Sequence, residues 1–121
     1  MTDGAASAYE KGLLGEARAR DYLCQKGMVS LCGRYHSSFG DIDLVMRDGD
    51  ALVFVEVKAR EKGRAYDGVN AVDGRKRERI IRTARCYLAE HPTEQAVRFD
   101  VVELTRDGLM HIPDAFQGSE W

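Results

Sequence analysis

Four side chains in two neighbouring runs have the types for acid, base and cation chemistry. Asp41 and Asp43 lie in "DIDLVMR" (Asp41 to Arg47), and Glu56 and Lys58 lie in "ALVFVEVKAR" (Ala51 to Arg60). Each run reads as a strand, and "DGD" (Asp48 to Asp50) between them is a turn signal, so together they predict a hairpin. Side chains alternate along a strand. Leu52, Phe54, Glu56 and Lys58 therefore share one face of the second run, and Val53, Val55 and Val57 share the other. The first run divides into Asp41, Asp43 and Val45 against Ile42, Leu44 and Met46. Superposing the apolar faces gathers Asp41, Asp43, Glu56 and Lys58 on the opposite side of the sheet. With Gly49-Asp50 as a two-residue type II′ loop, Asp48 faces Ala51, Asp43 faces Glu56 and Asp41 faces Lys58. A loop of Asp48-Gly49 shifts the pairing by two and keeps the faces, whereas an odd-length loop mismatches the apolar sets.

Directly opposed side chains have Cβ atoms ~4.5–5.5 Å apart. Two carboxylates at that distance repel unless a proton, a lysine or a divalent cation lies between them. Mg²⁺ suits such a pair, because it is a hard ion that takes carboxylate oxygens and keeps several waters. An ion held by Asp43 and Glu56 would activate water for attack on a phosphodiester and offset the developing charge. Lys58, one pleat along the same face, is placed to orient that water, to help deprotonate it or to stabilise the phosphorane. The alternative is an exposed cross-strand ion pair of Glu56 with Lys58 or Asp41, worth under ~1 kcal/mol.

The elements that must position these residues follow from periodicity. Ala5 to Gly27 predicts a helix with Tyr9, Leu13, Ala17 and Leu23 as its stripe and Gly27 as the residue past its end. Gly12 and Gly15 weaken its middle by up to ~1 kcal/mol each relative to Ala, which suggests close approach of another backbone. Met28 to Cys32 predicts a short strand, and Gly33 to Gly40 a polar loop or irregular strand. After the hairpin, Glu61 to Asn70 reads as a loop. A helix follows from about Val72 to Glu90, burying Ile80, Ile81, Ala84, Tyr87 and Leu88, and His91-Pro92 ends it. Ala96 to Leu104 and Leu109 to Ile112 predict two more strands around "TRDG". This α-β-β-β-α-β-β string packs as an α+β domain, with helices flanking a mixed, mostly antiparallel sheet.

The 121 residues suit one domain, with its core at about residues 5–116. The longest apolar run, Ala51 to Val55, is far too short to cross a membrane, and no membrane partner is expected. Met1 to Glu10 lacks a basic n-region and an apolar h-region, so a cytoplasmic location is the default expectation. Cys24, Cys32 and Cys86 form no CxxC pair, which argues against a zinc knuckle or dithiol motif and predicts buried or half-buried thiols. The net charge of −2 is unevenly spread. Lys58 to Arg85 holds ten basic and four acidic residues, a net of +6, which leaves −8 for the remainder. Such asymmetry fits either a solvated helix face or a surface that meets phosphates. Tyr22, Tyr87 and Phe99 read as core, and His36 reads as a polar loop residue or an acid-base group. His91 and His111 have no evident role, and Asp100 reads as an edge ion pair or a support for the carboxylates.

In order along the chain stand "GEARARDYL" (Gly15 to Leu23), "FGDIDLV" (Phe39 to Val45), "LVFVEVKAR" (Leu52 to Arg60), Lys76, "ARCYL" (Ala84 to Leu88) and "RFDVV" (Arg98 to Val102). This series resembles the YraN-like family of small bacterial proteins over roughly residues 9–116. That family is similar to the PD-(D/E)XK nuclease-like superfamily, near the archaeal Holliday-junction resolvases. The resemblance implies a restriction-endonuclease-like αβββαβ core. It implies Asp43 and Glu56 as metal carboxylates for Mg²⁺ or Mn²⁺, Lys58 as the catalytic lysine and Glu16 as a further acidic position. It also implies that Lys76 contacts phosphate. Asp41 stands where the family usually has Glu, and Arg34 and His36 stand where it usually has Asn and Arg. The expected activity is a metal-dependent endonuclease on DNA rather than RNA, with branched or structured DNA as substrate. Arg34, Arg60, Lys76 and Arg79 are the expected nucleic-acid contacts, and a homodimer is the expected assembly. A non-catalytic nucleic-acid-binding module on the same fold is the rival expectation.

Overall fold

A computed structural model describes residues 8–59 and 73–118. Helix α1 (Ala8–Gln25) opens the described chain. Its end follows the Schellman pattern: Gly27, at φ 101°, donates to the Cys24 carbonyl, and Met28 donates to that of Leu23. The expected stripe is displaced. Tyr9 and Leu13 are exposed, whereas Glu16, Ala19 and Leu23 are buried. Gly15 makes room for a side chain rather than a backbone, since a Cβ there would meet Leu104 Cδ1 at 3.1 Å.

Five strands form the main sheet in the order β1 (Val29–Cys32), β4 (Leu44–Asp48), β5 (Ala51–Ala59), β6 (Ala96–Thr105) and β7 (Gly108–Phe116). Only β5 and β6 run parallel, as expected of two strands joined across helix α2 (Gly74–Glu90). The β4–β5 hairpin has the predicted register: Asp48 faces Ala51 and Leu44 faces Val55. Gly49 supplies φ 59° at the first loop position, as a type II′ turn requires. Leaving aside β2 and β3, the resulting α-β-β-β-α-β-β order with a mixed sheet is the expected fold class.

Two expectations about the hairpin fail. Asp41 to Arg47 is not one strand. It splits at Asp43 into β3 (Gly40–Ile42) and β4. β3 turns away to pair with β2 (Tyr35–Ser37) as a separate two-stranded sheet. Asp41 therefore faces His36 instead of Lys58, with Nδ1 and Oδ1 2.6 Å apart. Gly40, at φ 148°, gives the backbone the freedom this departure needs.

Nor does the main sheet have a single apolar face. Leu44, Met46, Val53, Val55, Val102 and Leu104 pack under Ala19 and Leu23 of α1. Val45, Leu52, Phe54, Phe99 and Val101 pack under Ile80, Ala84 and Tyr87 of α2. Ile42 joins this second cluster although it lies an odd number of residues from Val45, a direct mark of the break at Asp43. The rings of Phe54, Phe99 and Phe116 stack at centroid separations of 5.6 and 5.0 Å, and Tyr87 meets Phe54 edge-on. Tyr87 and Phe99 are core, as expected. Cys32 and Cys86 are half-buried, but Cys24 is exposed, because it faces away from the α1 core side. No helix of the described residues is long and apolar enough to cross a membrane.

Candidate active site

Glu56 and Asp43 come together where β4 stops. Glu56 follows Phe54 on the α2 side of β5 and is only 5% exposed. Asp43 occupies the bend, and its Oδ2 accepts from the Val57 N–H at 2.8 Å. The carboxylate thus replaces the ladder partner that the departing strand leaves out. That bond, with the register before it, fixes Asp43 beside Glu56.

The pair is electrostatically loaded. Burial and the Glu56 charge push the Asp43 carboxyl up to about 7, against the opposing effects of the Val57 N–H and Lys76. The protonated form of Asp43 is thereby favoured beside the buried Glu56. Lys76 Nζ lies 2.7 Å from Glu56 Oε2. Burial works against the charge on Lys76, but Glu56 and Asp43 outweigh it and hold its pKa above the ordinary lysine value. The side chain reaches this point because Lys76 is the third residue of α2, where its N–H is capped by Asp73 Oδ1 at 2.9 Å.

Glu16 approaches from α1. Its carboxylate accepts from the Arg34 guanidinium. Burial raises the Glu16 pKa, Arg34 pulls against that rise and the Asp43 charge adds to it. The Arg34 Nε is buried and has no hydrogen-bond partner. Among the described residues, no group of three or more His, Cys, Asp and Glu side chains is placed to hold a metal ion. Asp43 lies against Glu56 on one side and interacts with Glu16 on the other, while Glu16 also pairs with Arg34. A hollow of about 300 Å³ opens over the pair, lined by Arg34, Gly40, Asp41, Lys76, Arg79 and Ile80 as well as the two acids.

A family model described as "Uncharacterised protein family UPF0102" matches residues 15–104. The chain belongs to the UPF0102 family. It is 41% identical over 119 residues to a UPF0102 protein of Xanthomonas euvesicatoria, covering 95% of this chain and 98% of that one. A UPF0102 protein of Synechococcus is 42% identical over 105 residues, covering 84% of this chain and 78% of its own. One from Shewanella amazonensis is also 42% identical over 105 residues, covering 87% and 97%. The YraN-like resemblance is thereby borne out at the level of the family.

In this UPF0102 chain the sequence-predicted residues fall into three groups. Asp43, Glu56, Lys76, Arg34 and Arg79 line one hollow, and Glu16 stands behind it on Arg34. Lys58 does not line the hollow. It is half-buried on β5 and lies in register with buried Glu103 of β6. Arg60 and the Glu61 to Asn70 loop lie outside the described residues. Lys76 of α2 places an ammonium beside Glu56. The sequence signal for that contact was an Asp73 cap three residues before a lysine. Asp100 is fully buried, and Arg98, His111 and the Asp114 N–H all bond it, so it supports the β6–β7 end of the sheet and not the carboxylate pair.

Proposed function

We propose that this chain is a metal-dependent nuclease that hydrolyses phosphodiester bonds in DNA, with branched or structured DNA as its substrate. The observation that carries the reading is the placing of Asp43 and Glu56 side by side under a hollow rimmed by Lys76, Arg34 and Arg79. Two adjacent hard oxygen donors that cannot both ionise freely suit Mg²⁺ or Mn²⁺, which needs only one or two carboxylates when a substrate phosphate completes its shell. Asp43 and Glu56 would hold the ion. When bound there, it supplies charge to the phosphoryl oxygens and eases deprotonation of water.

The chain's own residues then have distinct tasks. The Val57 N–H fixes the Asp43 carboxylate. Arg79 and Arg34 face an incoming phosphate across the hollow. Lys76, beside Glu56 on the rim of the hollow, would offer its ammonium to the charge that grows on the phosphoryl group. The test is cleavage of plasmid, single-stranded and four-way-junction DNA with Mg²⁺ or Mn²⁺. Glu56→Ala is expected to lower the rate at least ~100-fold, the usual scale for removing a group that stabilises a transition state. Equal background from wild type and variant on every substrate would sink the catalytic reading.

A second reading has its own support. Lys76 on Glu56 and Arg34 on Glu16 already neutralise two of the three acids without a metal. A non-catalytic module that grips nucleic acid through the basic face of α2 would look the same. It predicts binding that weakens steeply with salt and no metal-dependent turnover.

A further inference from the structure

Beside the carboxylate hollow lies a second, more open one of about 460 Å³, lined by Phe39, Arg82, Arg85, Cys86 and Ala89. Phe39 sits at the tip of the β2–β3 hairpin and leaves 44% of its surface exposed. An exposed ring at a hairpin tip costs solvation and adds nothing to the core. The Arg82 guanidinium covers part of it, 5.6 Å from the ring centroid, while also pairing with Glu78 at 3.1 Å.

The tip is held in place rather than left loose. Ser37 Oγ accepts from the Phe39 N–H at 3.0 Å and donates to the Gly40 carbonyl at 3.2 Å. The same oxygen is 2.8 Å from Thr83 Oγ1, which locks the hairpin onto α2. A Cβ on Gly40 would lie 3.7 Å from Arg79 Cβ, so strand and helix run in contact here. Gly40 and Arg79 line the carboxylate hollow, and their neighbours Phe39 and Arg82 line the second. Three helical residues advance ~4.5 Å along the axis, so the two hollows adjoin.

A flat apolar ring, arginines beside it and an adjoining acidic hollow suited to a phosphodiester match one ligand chemistry. Nucleobases stack on aromatic rings and guanidinium planes, and the sugar-phosphate chain between them needs cations. We propose that Phe39 is the stacking platform for an unpaired nucleobase next to a backbone phosphate that meets Arg79 at the rim of the carboxylate hollow, with Arg82 gripping the intervening backbone. The proposal rests on the nucleic-acid reading above and deepens it. The chain takes single-stranded or unpaired DNA in preference to blunt duplex, because only an unpaired base has a face free to meet Phe39.

Fluorescence anisotropy of labelled oligonucleotides at fixed ionic strength, without divalent cations, tests this apart from turnover. Phe39→Ala is expected to weaken binding of a single strand about tenfold and binding of a blunt duplex less than twofold, while Phe39→Tyr keeps wild-type affinity. Thermal melting should match wild type for both variants, because the ring is exposed. Failure of wild type to bind the single strand overturns the proposal. So does a Phe39→Ala variant that binds like wild type, or that loses single strand and duplex equally. If wild type cleaves DNA but Phe39→Ala binds normally, the platform fails and the nuclease reading stands. If binding responds as predicted but Glu56→Ala changes no cleavage, the platform stands and the nuclease reading fails.

Discussion

Asp43 carries most of the unusual physics at the scale of single residues. Its carboxyl is raised to about 7 by burial first and by Glu56 second. A carboxyl raised in the folded state contributes stability that is complete below its unfolded value and is lost as pH climbs through the folded one. Wild type should therefore lose stability between about pH 4 and pH 8. Asp43→Asn keeps an oxygen for the Val57 N–H and removes the charge. At pH 8 it should be more stable than wild type by roughly 1–3 kcal/mol, with the gap closing towards pH 4. Chemical denaturation across that range measures it, and a flat wild-type profile would refute the coupling. The Asp43–Glu56 adjacency was legible, since alternation and turn chemistry suffice to place one acid opposite the other. The contact of Lys76 with Glu56 was not, because a strand pattern says nothing about which helix residue folds over it.

The informative failures at the scale of elements lie where local pattern met tertiary demand. "DIDLVMR" alternates well enough to pass for one strand, yet Gly40 and the pairing of Tyr35 to Ser37 draw its first half into another sheet. The stripe assigned to α1 was right at Leu23 and misplaced before it, because the buried side continues through Ala19 and Glu16, small or charged residues that hydrophobic periodicity does not count. At the far end of the sheet, Asp100 ties β6 to β7. Burial alone would raise its carboxyl, but His111, Arg98 and the Asp114 N–H together hold it below the ordinary carboxylate range. Lys26 Nζ is 2.8 Å from His111 Nδ1, so the end of α1 joins the same chain of bonds, and Arg98 also reaches Asp48 at the β4–β5 turn. Asp100→Ala leaves His111 Nε2 without its acceptor and Arg98 with Asp48 alone. It should cost about 3 kcal/mol at pH 7, read from denaturant midpoints. The sign of the pH effect is opposite to that of Asp43. A lowered carboxyl stabilises above its unfolded value and stops doing so as pH falls, so the cost of Asp100→Ala should shrink below about pH 4. A cost unchanged from pH 7 to pH 3 would contradict this.

The fold of the whole molecule was more legible than its surface. Helix–strand order, the hairpin register and the core residues of α2 follow from periodicity, capping and turn signals. The second covered face was written in the sequence too. Leu52, Val53, Phe54 and Val55 run without a polar break, as a central strand does when helices cover both sides. Reading the valines as the only core face missed that. Charge asymmetry marked α2 as basic, and α2 does present Arg75, Arg79, Arg82 and Arg85 to solvent, the last three of them lining the two hollows. What that face grips depends on how the hairpin tip and the carboxylate pair share it, a relation between distant parts of the chain that no local pattern encodes.

The central claim is that Asp43 and Glu56 together hold a divalent cation. Calorimetric titration of the protein with Mn²⁺ at pH 8 tests it without any nucleic acid. The account predicts saturable binding of about one ion per chain, weakened at least ~10-fold in Asp43→Asn and in Glu56→Gln, since Mg²⁺-type sites depend on one or two carboxylates. Absence of saturable binding to wild type, or equal binding by wild type and both variants, would contradict it.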